Sequence, residues 1–367
     1  MTPIPLCRPT VGPEELAAVG DVLASGHLVQ GARVAAFEEA LATRLGQPVA
    51  ATSSGTAALH LALLALGVGP GDEVIVPGVT FPAPANAVEA VGARAVAADV
   101  DPERWALDPA RAAAAMSART RAVIVVHPFG VPADVPALRS LGVPIIEDAA
   151  CALGATLDGR PCGTLGDVAC FSFHPRKVIT TGEGGALTSP DAGIVDRARR
   201  LRNHGMGPAT GGDPGARFEE VGLNLRLSDV HAAVGVVQLR RLDALIDERA
   251  ALAERARSFP LALLPGLFAP GAVVQSLVGL LPPGVDRAAV LAALAPRAEA
   301  TVASYAIHRL APWRGRPWAT DAALPMAARI HDSGVTLPLW PGMGPDAIDE
   351  VGAALRDALL TTTGGEP

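Results

Sequence analysis

The chain has 367 residues, with 30 lysines and arginines against 37 aspartates and glutamates, and a formal net charge of −7. Half of its residues are hydrophobic and 18% are charged, which excludes an intrinsically disordered protein. The acidic balance and the lack of a basic run leave no electrostatic footprint for nucleic acid, and the length allows one large or two ordinary domains.

The first two thirds of the chain alternate short apolar strands with alanine-rich helical patterns. The predicted strands are residues 73–76, 94–99, 122–127, 144–148, 168–173 and 185–188. The predicted helices between them are residues 56–66, 83–91, 109–116 and 135–141. This repeated alternation predicts an α/β fold with a largely parallel sheet, in which ligands bind at the carboxyl ends of the strands.

The last third of the chain is expected to form a second, smaller domain. A long helical pattern at residues 228–257 is interpreted as the bridge, so residues 1–240, with an N-terminal arm, form the large domain and residues 241–367 the small one. Further helices are expected at 287–295 and 345–359, and a Gly/Pro-rich loop at 207–215. Residues 258–285 carry no charge, but their prolines and glycines make strands and turns a better interpretation than a membrane helix.

One lysine stands out among the basic residues, because the other 29 are all arginines. Arginine stays protonated and cannot act as an amine nucleophile, whereas a buried lysine can. Lys177 is therefore a candidate for Schiff-base chemistry. The alternative is drift, in which one basic position simply escaped replacement.

One acidic residue and one cluster of hydroxylated residues strengthen this hypothesis. Asp148 ends an apolar strand, where a carboxylate can pair with the pyridinium nitrogen of pyridoxal phosphate (PLP), although an ordinary acidic cap is also possible. The cluster Thr52-Ser-Ser-Gly-Thr56 opens a helix. Free N–H groups and the helix dipole make such a start a phosphate site, although a plain N-cap uses the same residues.

Phe81, in Thr80-Phe81-Pro82, is the remaining candidate from the large domain. Its ring can lie flat on a planar cofactor, or it can pack in the core as most phenylalanines do.

In their order and spacing, the motifs of this chain resemble those of the DegT/StrS-type sugar aminotransferases, PLP enzymes of fold type I. The matching segments are residues 28–31, 37–38, 54–59, 69–77, 80–81, 126–130, 147–150, 171–177, 182–185, 222–226, 305–308 and 337–339. The resemblance implies a large domain with a mostly parallel seven-stranded sheet flanked by helices, and a smaller C-terminal α/β domain.

The resemblance also implies roles for individual residues. Lys177 would form the internal aldimine and shuttle the proton, and Asp148 would pair with the ring nitrogen. The phosphate would be held by Gly55, Thr56 and Ser172, while the ring would lie between Phe81 and Ala150. Asn224, in the Gly-x-Asn-x-Arg motif, would reach the phosphate of the neighbouring subunit, which implies a homodimer with shared active sites.

Four further residues are candidates for contacts with the cofactor or the substrate. Many family members carry Gln or His where this chain has Cys151, and a thiol is a weaker partner for the ring hydroxyl of PLP. Tyr305 and His308 resemble sugar-nucleotide contacts, with a half-buried core pair as the alternative. Arg226 is a candidate for a substrate phosphate or carboxylate, or for a structural salt bridge.

The predicted function is transfer of an amino group, with L-glutamate as donor, to a keto group of a nucleotide-activated sugar, the cofactor alternating between PLP and pyridoxamine phosphate. A cyclitol or another secondary-metabolite ketone is the nearest alternative acceptor. A sugar dehydratase of the same family would carry histidine in place of Lys177. A non-catalytic regulatory homologue would not need the intact set of Lys177, Asp148, Thr56 and Ser172.

The four cysteines, at positions 7, 151, 162 and 170, form no C-x-x-C pair. A zinc site or a disulfide framework is therefore not expected, nor is any other bound metal. Free thiols and a start without the pattern of a signal peptide favour a cytoplasmic protein with no membrane association.

Overall fold

The computed structural model describes residues 2–207 and 217–363, so residues 208–215 of the predicted Gly/Pro-rich loop lie outside it. Its helices are α1 (Pro13–Ser25), α2 (Ala32–Leu45), α3 (Gly55–Ala65), α4 (Ala83–Ala90), α5 (Pro109–Ala115), α6 (Val135–Leu138), α7 (Ala192–Leu201), α8 (Asp229–Arg240), α9 (Leu242–Arg255), α10 (Arg287–Leu294), α11 (Pro325–Ser333) and α12 (Gly344–Thr363). Its strands are β1 (Val49–Thr52), β2 (Glu73–Pro77), β3 (Val79–Thr80), β4 (Arg94–Ala98), β5 (Thr120–Val126), β6 (Ile145–Asp148), β7 (Thr156–Leu157), β8 (Arg160–Pro161), β9 (Val168–Ser172), β10 (Gly185–Thr188), β11 (Ala262–Leu263), β12 (Leu277–Leu280), β13 (Thr301–Val302), β14 (Tyr305–Ala306) and β15 (Gly334–Leu337).

The large sheet has seven strands in the order β1-β10-β9-β6-β5-β2-β4. Strand β10 is antiparallel to both of its neighbours, and the other pairs are parallel. Both faces are buried: on β5, Ile124 packs into one apolar cluster while Val123 and Val125 pack into the other. Burial on both faces explains why these strands are continuous apolar runs, and the predicted α/β class is confirmed.

The six strands predicted for this part of the chain are all present, with ends that differ by at most two residues. Strand β1 was not predicted, because its four residues, Val-Ala-Ala-Thr, give too short a pattern for a periodicity argument. The predicted helix at residues 228–257 is two helices, α8 and α9, which meet at Arg241.

A second sheet, with the order β11-β12-β15-β13, is entirely antiparallel. Strands β11 and β12 come from the uncharged stretch at residues 258–285, as expected from its prolines and glycines. In the described part of the chain, no helix is long and apolar enough to cross a membrane.

Several backbone contacts join the N-terminal two thirds of the chain to the C-terminal part, and two of them involve strand or bridge pairing. Strand β14 pairs antiparallel with β3, which places Tyr305 opposite Thr80. The N-terminal arm forms a bridge between Ile4 and Ala298. The arm therefore lies against the C-terminal part of the chain, although it precedes the large sheet in sequence.

Candidate active site

The predicted site residues converge at one edge of the large sheet. Strands β1, β2, β6 and β9 run in the same direction, because β10 is antiparallel to both β1 and β9. Their carboxyl ends carry Thr52, Pro77, Asp148 and Ser172 in turn. The segments that follow them lead to the Ser/Thr cluster, to Phe81 and to Lys177, so parallel pairing brings together residues far apart in sequence.

A tight cradle forms where β1 leads into α3. Ser54 is the N-cap of α3 and its Oγ accepts a hydrogen bond from the backbone N–H of Ala57. A Cβ added at Gly55 would lie 2.9 Å from the Cβ of Ser172, and one at Gly185 would lie 2.4 Å from the backbone of Ser54. These two glycines let the start of α3 approach β9 and β10. With Thr56 exposed, the helix start presents free N–H groups to an anion.

Lys177 lies half-buried in the segment after β9, where its backbone N–H donates to the carbonyl of His174 at 2.8 Å. Its Nζ is 3.1 Å from Sγ of Cys151. Cys151 lies three residues after the end of β6, so this contact joins the segments that follow two adjacent strands. Sequence reasoning placed both residues at the cofactor, but did not anticipate that they touch.

Asp148 is a buried carboxylate with 7% of its surface exposed, and its Oδ1 accepts the backbone N–H of Ala150 at 3.1 Å. Burial raises the pKa of this carboxyl, while the Ala150 N–H and the charges of Lys177 and His127 pull it down. A buried carboxylate of this kind is stabilised by a cation or a strong N–H donor. The protonated pyridine nitrogen of PLP would meet that need.

Sequence reasoning missed the role of Glu147, which lies behind Asp148 on the opposite face of β6. The buried Glu147 carboxylate accepts backbone N–H groups of Gly163, Leu165 and Gly166 at 2.6–2.8 Å, and contacts Nε2 of His127 at 2.8 Å. These contacts lower the pKa of Glu147 against the effect of burial. The sequence signal for this role was the pair of acidic residues, Glu147 and Asp148, at the end of an apolar strand. A buried carboxylate needs several hydrogen-bond donors, so such a pair indicates a network of donors around it.

Phe81 is not a core residue, since 67% of it is exposed. Its ring lies edge-on to the ring of Tyr305, with 6.3 Å between centroids and 68° between planes. Tyr305 is itself 37% exposed. The structure therefore places this predicted substrate residue beside a predicted cofactor residue, on a surface open to a ligand.

His308 lies apart from that open surface. It is 3% exposed, and its Nε2 is 2.7 Å from Oδ1 of Asp321. Its Nδ1 is buried and has no hydrogen-bond partner among the residues that the structure describes. The tertiary structure thus brings Tyr305, but not the His308 side chain, to the ring of Phe81.

The Gly-x-Asn-x-Arg motif runs beside the cradle. The carbonyl of Leu225 accepts the backbone N–H of Ser53 at 2.9 Å, and the neighbouring side chain of Asn224 is exposed. Arg226 donates from Nη1 to Oδ1 of Asn203 at 2.7 Å. An exposed asparagine at this position is free to reach a second copy of the chain.

Taken together, the donor set fits PLP. The glycine-lined start of α3 suits a phosphate, the Lys177 amine suits an aldehyde, and the buried Asp148 suits a protonated pyridine nitrogen. The exposed ring of Phe81 offers a face for stacking.

Comparison with known proteins gives a consistent result over nearly the whole chain. A model of the DegT/DnrJ/EryC1/StrS aminotransferase family matches residues 9–356. The chain is 35% identical to the spore coat polysaccharide biosynthesis protein SpsC of Bacillus subtilis (strain 168), and 34% identical to the dTDP-4-dehydro-2,3,6-trideoxy-D-glucose 4-aminotransferase of Saccharopolyspora spinosa, in each case over 97% of both chains. The crystal structure of the aminotransferase TlmJ from Streptoalloteichus hindustanus is 35% identical, with a TM-score of 0.90 over 98% of this chain and all of that one.

Proposed function

The chain belongs to the DegT/DnrJ/EryC1/StrS aminotransferase family, and we propose that it transfers the amino group of L-glutamate to a keto group of a nucleotide-activated sugar. It is a PLP-dependent sugar aminotransferase of fold type I. The observation that carries the proposed chemistry is the convergence of Lys177, Asp148 and the start of α3 at one sheet edge. The name of the Saccharopolyspora spinosa relative supports a nucleotide-linked keto sugar as acceptor.

When bound, PLP supplies an aldehyde that joins a primary amine and a protonated ring that withdraws electrons from the reacting carbon. The N–H groups at the start of α3, with Gly55, Thr56 and Ser172, hold the phosphate. Asp148 keeps the proton on the ring nitrogen. Phe81 would cover one face of the ring and Ala150 the other, and Cys151 would be the residue closest to a partner for the ring hydroxyl.

Lys177 has two tasks in this proposal. Its amine holds the cofactor at rest, and once released it removes the proton from the α-carbon of the donor and later returns a proton to the acceptor. Arginine cannot do either, because it does not lose its proton at neutral pH. This requirement accounts for a lysine at one position in a chain that otherwise uses arginine.

The acceptor is proposed to bind on the open surface beside Phe81. Tyr305 offers a hydroxyl there, and Arg226 is proposed to bind the phosphate groups, whereas the predicted contact residue His308 is buried against Asp321, apart from this surface. The presence of Lys177 disfavours the dehydratase alternative. A cyclitol ketone would use the same catalytic residues, and no structural feature favours it over a sugar.

We also propose a homodimer with shared active sites. Large apolar side chains are exposed at Leu28, Val29, Phe218, Val221 and Leu223. Three of them, Phe218, Val221 and Leu223, lie within six residues of each other in sequence. Exposed large apolar side chains grouped in this way favour an interface, and Leu223 directly precedes Asn224, which is proposed to reach the phosphate of the partner subunit.

All four cysteines lie in the described part of the chain and are unpaired, which supports the proposed cytoplasmic location.

A direct test uses purified protein, PLP, L-glutamate and a panel of nucleotide keto-sugars and cyclitol ketones, with mass detection of amine products. Amination of a nucleotide keto-sugar, with 2-oxoglutarate formed in equal amount, supports the proposal. A product from a cyclitol alone, or amination with alanine but not glutamate, would overturn the acceptor or the donor respectively.

A further inference from the structure

The contact between Cys151 and Lys177 is fixed from both sides by backbone turns. Around Cys151, the N–H of Ala152 donates to the carbonyl of Ala149 at 2.9 Å, and the N–H of Ala149 donates to the carbonyl of Cys170 at 2.8 Å. On the other side, the backbone N–H of Lys177 donates a hydrogen bond to the carbonyl of His174. Both backbone positions are thereby held, and they leave the Lys177 amine within reach of the Cys151 thiol, with 3.1 Å between Nζ and Sγ.

Lysine is a flexible side chain, and a catalytic amine needs a defined position. Its four-carbon stem loses rotamer entropy when it is held in one place, so a defined position requires a partner for the amine. Proton transfer works only within hydrogen-bond reach of the reacting atom. The fold supplies a partner for the amine at Cys151, at the position next to the proposed cofactor ring.

We propose that Cys151 is a positioning residue that holds the Lys177 amine in line with the cofactor whenever the amine is free. This inference rests on the proposed role of Lys177 as the residue that carries PLP. A thiol is a weak hydrogen-bonding group, so it orients the amine without competing strongly with the cofactor aldehyde. Cys151 thus acts through Lys177, before the cofactor is captured and after the amine is released.

The first test probes the contact in the full chain freed of cofactor. The reagent o-phthalaldehyde joins an adjacent thiol and primary amine into a fluorescent isoindole. Because Lys177 is the only lysine, peptide mass spectrometry should locate the product on Cys151 and Lys177, and PLP should prevent its formation. Wild-type protein without this cross-link would overturn the contact.

Matched variants identify the thiol. Cys151→Ser and Lys177→Arg should each abolish the isoindole. Cys7→Ser is the control, because the Cys7 thiol is also half-buried and lies 3.5 Å from the carbonyl of Pro175 in the same loop as Lys177. It also removes the thiol nearest in sequence to the terminal amine. An isoindole lost in Cys7→Ser but kept in Cys151→Ser would contradict the assignment.

The second test measures the rate at which cofactor-free protein captures PLP, read by the change in absorbance on rapid mixing. Cys151→Ala should capture PLP about two- to threefold more slowly, the effect of losing one weak hydrogen bond. Cys151→Ser should recover part of the rate, because a hydroxyl can also partner an amine, and Cys7→Ser should match wild type. Equal rates in wild type, Cys151→Ala and Cys151→Ser would overturn the inference.

The two proposals fail in different ways. If wild type captures PLP on Lys177 but the Cys151 variants behave identically to it, only the positioning role is wrong. If wild type does not capture PLP on Lys177 at all, the proposed function of Lys177 is wrong, whatever the isoindole experiment shows.

Discussion

The ring of Tyr305 lies edge-on to the ring of Phe81, with 6.3 Å between their centroids. This relationship exists because β14 pairs with β3 and places Tyr305 opposite Thr80, one residue before Phe81. A residue from the C-terminal part of the chain thus completes a surface that begins in the large sheet. An acceptor bound there would touch both parts of the molecule.

Tyr305→Phe tests this surface with the smallest change available. Removing the hydroxyl keeps the edge-on ring contact but deletes one hydrogen-bonding group, so we expect the KM for the nucleotide sugar to rise about fivefold. Capture of PLP should be unchanged. Steady-state kinetics with saturating L-glutamate measures the effect, and an unchanged KM would show that the hydroxyl does not bind the acceptor.

Lys177→Arg tests the need for an amine while retaining the positive charge. We expect transamination to fall by at least about a hundredfold, since the proton-transfer group is lost. Borohydride reduction followed by peptide mass spectrometry should find PLP on Lys177 in wild type and nowhere in the variant. Modification at the terminal amine alone, with activity retained, would contradict the assignment.

Asp148→Asn is expected to lower the activity but to raise the stability of the cofactor-free protein. The loss of the carboxylate should reduce activity by about 10²–10³-fold, because an electrostatic contact to the ring is removed. Without cofactor, however, the variant should be the more stable protein at neutral pH. Burial raises the pKa of this carboxyl above its ordinary value of 3.8, so the folded state opposes its ionisation.

Because folding raises the pKa of Asp148, the difference in stability between wild type and Asp148→Asn should depend on pH. Below pH 3.8 Asp148 is protonated whether the chain is folded or unfolded, and the variant and wild type should melt alike. As pH rises through the raised pKa of the folded state, wild type loses stability and the variant does not. The gap in Tm should therefore open as the pH rises above 3.8 and become constant once the pH exceeds the raised pKa of the folded state. A gap that narrows over this range would contradict the prediction.

Val221→Asp tests the proposed dimer, because this side chain is 94% exposed and a charge there should weaken an apolar interface. We expect sedimentation to show a shift towards monomer, with activity falling in parallel. Leu360→Asp is a matched control, since Leu360 is also exposed, at 39%, but belongs to α12 and not to the segment of residues 218–223. Equal behaviour of the two variants would argue against that segment as the interface.

Mixed dimers test whether the sites are shared. Subunits carrying Asn224→Ala and subunits carrying Lys177→Ala should each have little activity alone. In a verified heterodimer, one of the two sites combines an intact Lys177 with an intact Asn224 from the partner. Activity should then recover towards about half of the wild-type value for each heterodimer that forms, and no recovery would place both residues in the same subunit's site.

Much of the fold could be predicted from local patterns. Apolar runs such as residues 185–188 specify strands because both faces of the sheet are buried, and Pro109 marks the start of α5 as a residue suited to the first helical turn. The short strand β1 and the break at Arg241 were missed, because neither leaves a periodic signal. Their form is decided by pairing with β10 and by packing between helices.

The sequence by itself determined the reacting groups: a lone lysine, a carboxylate at a strand end and a hydroxyl-rich helix start, each recognisable because its chemistry has few substitutes. Only the tertiary structure decided which groups touch. It brought Tyr305 to Phe81, buried His308 against Asp321, and placed the thiol of Cys151 against Lys177. The physical reason is that such contacts depend on the pairing of strands distant in sequence, and local residue patterns do not encode that pairing.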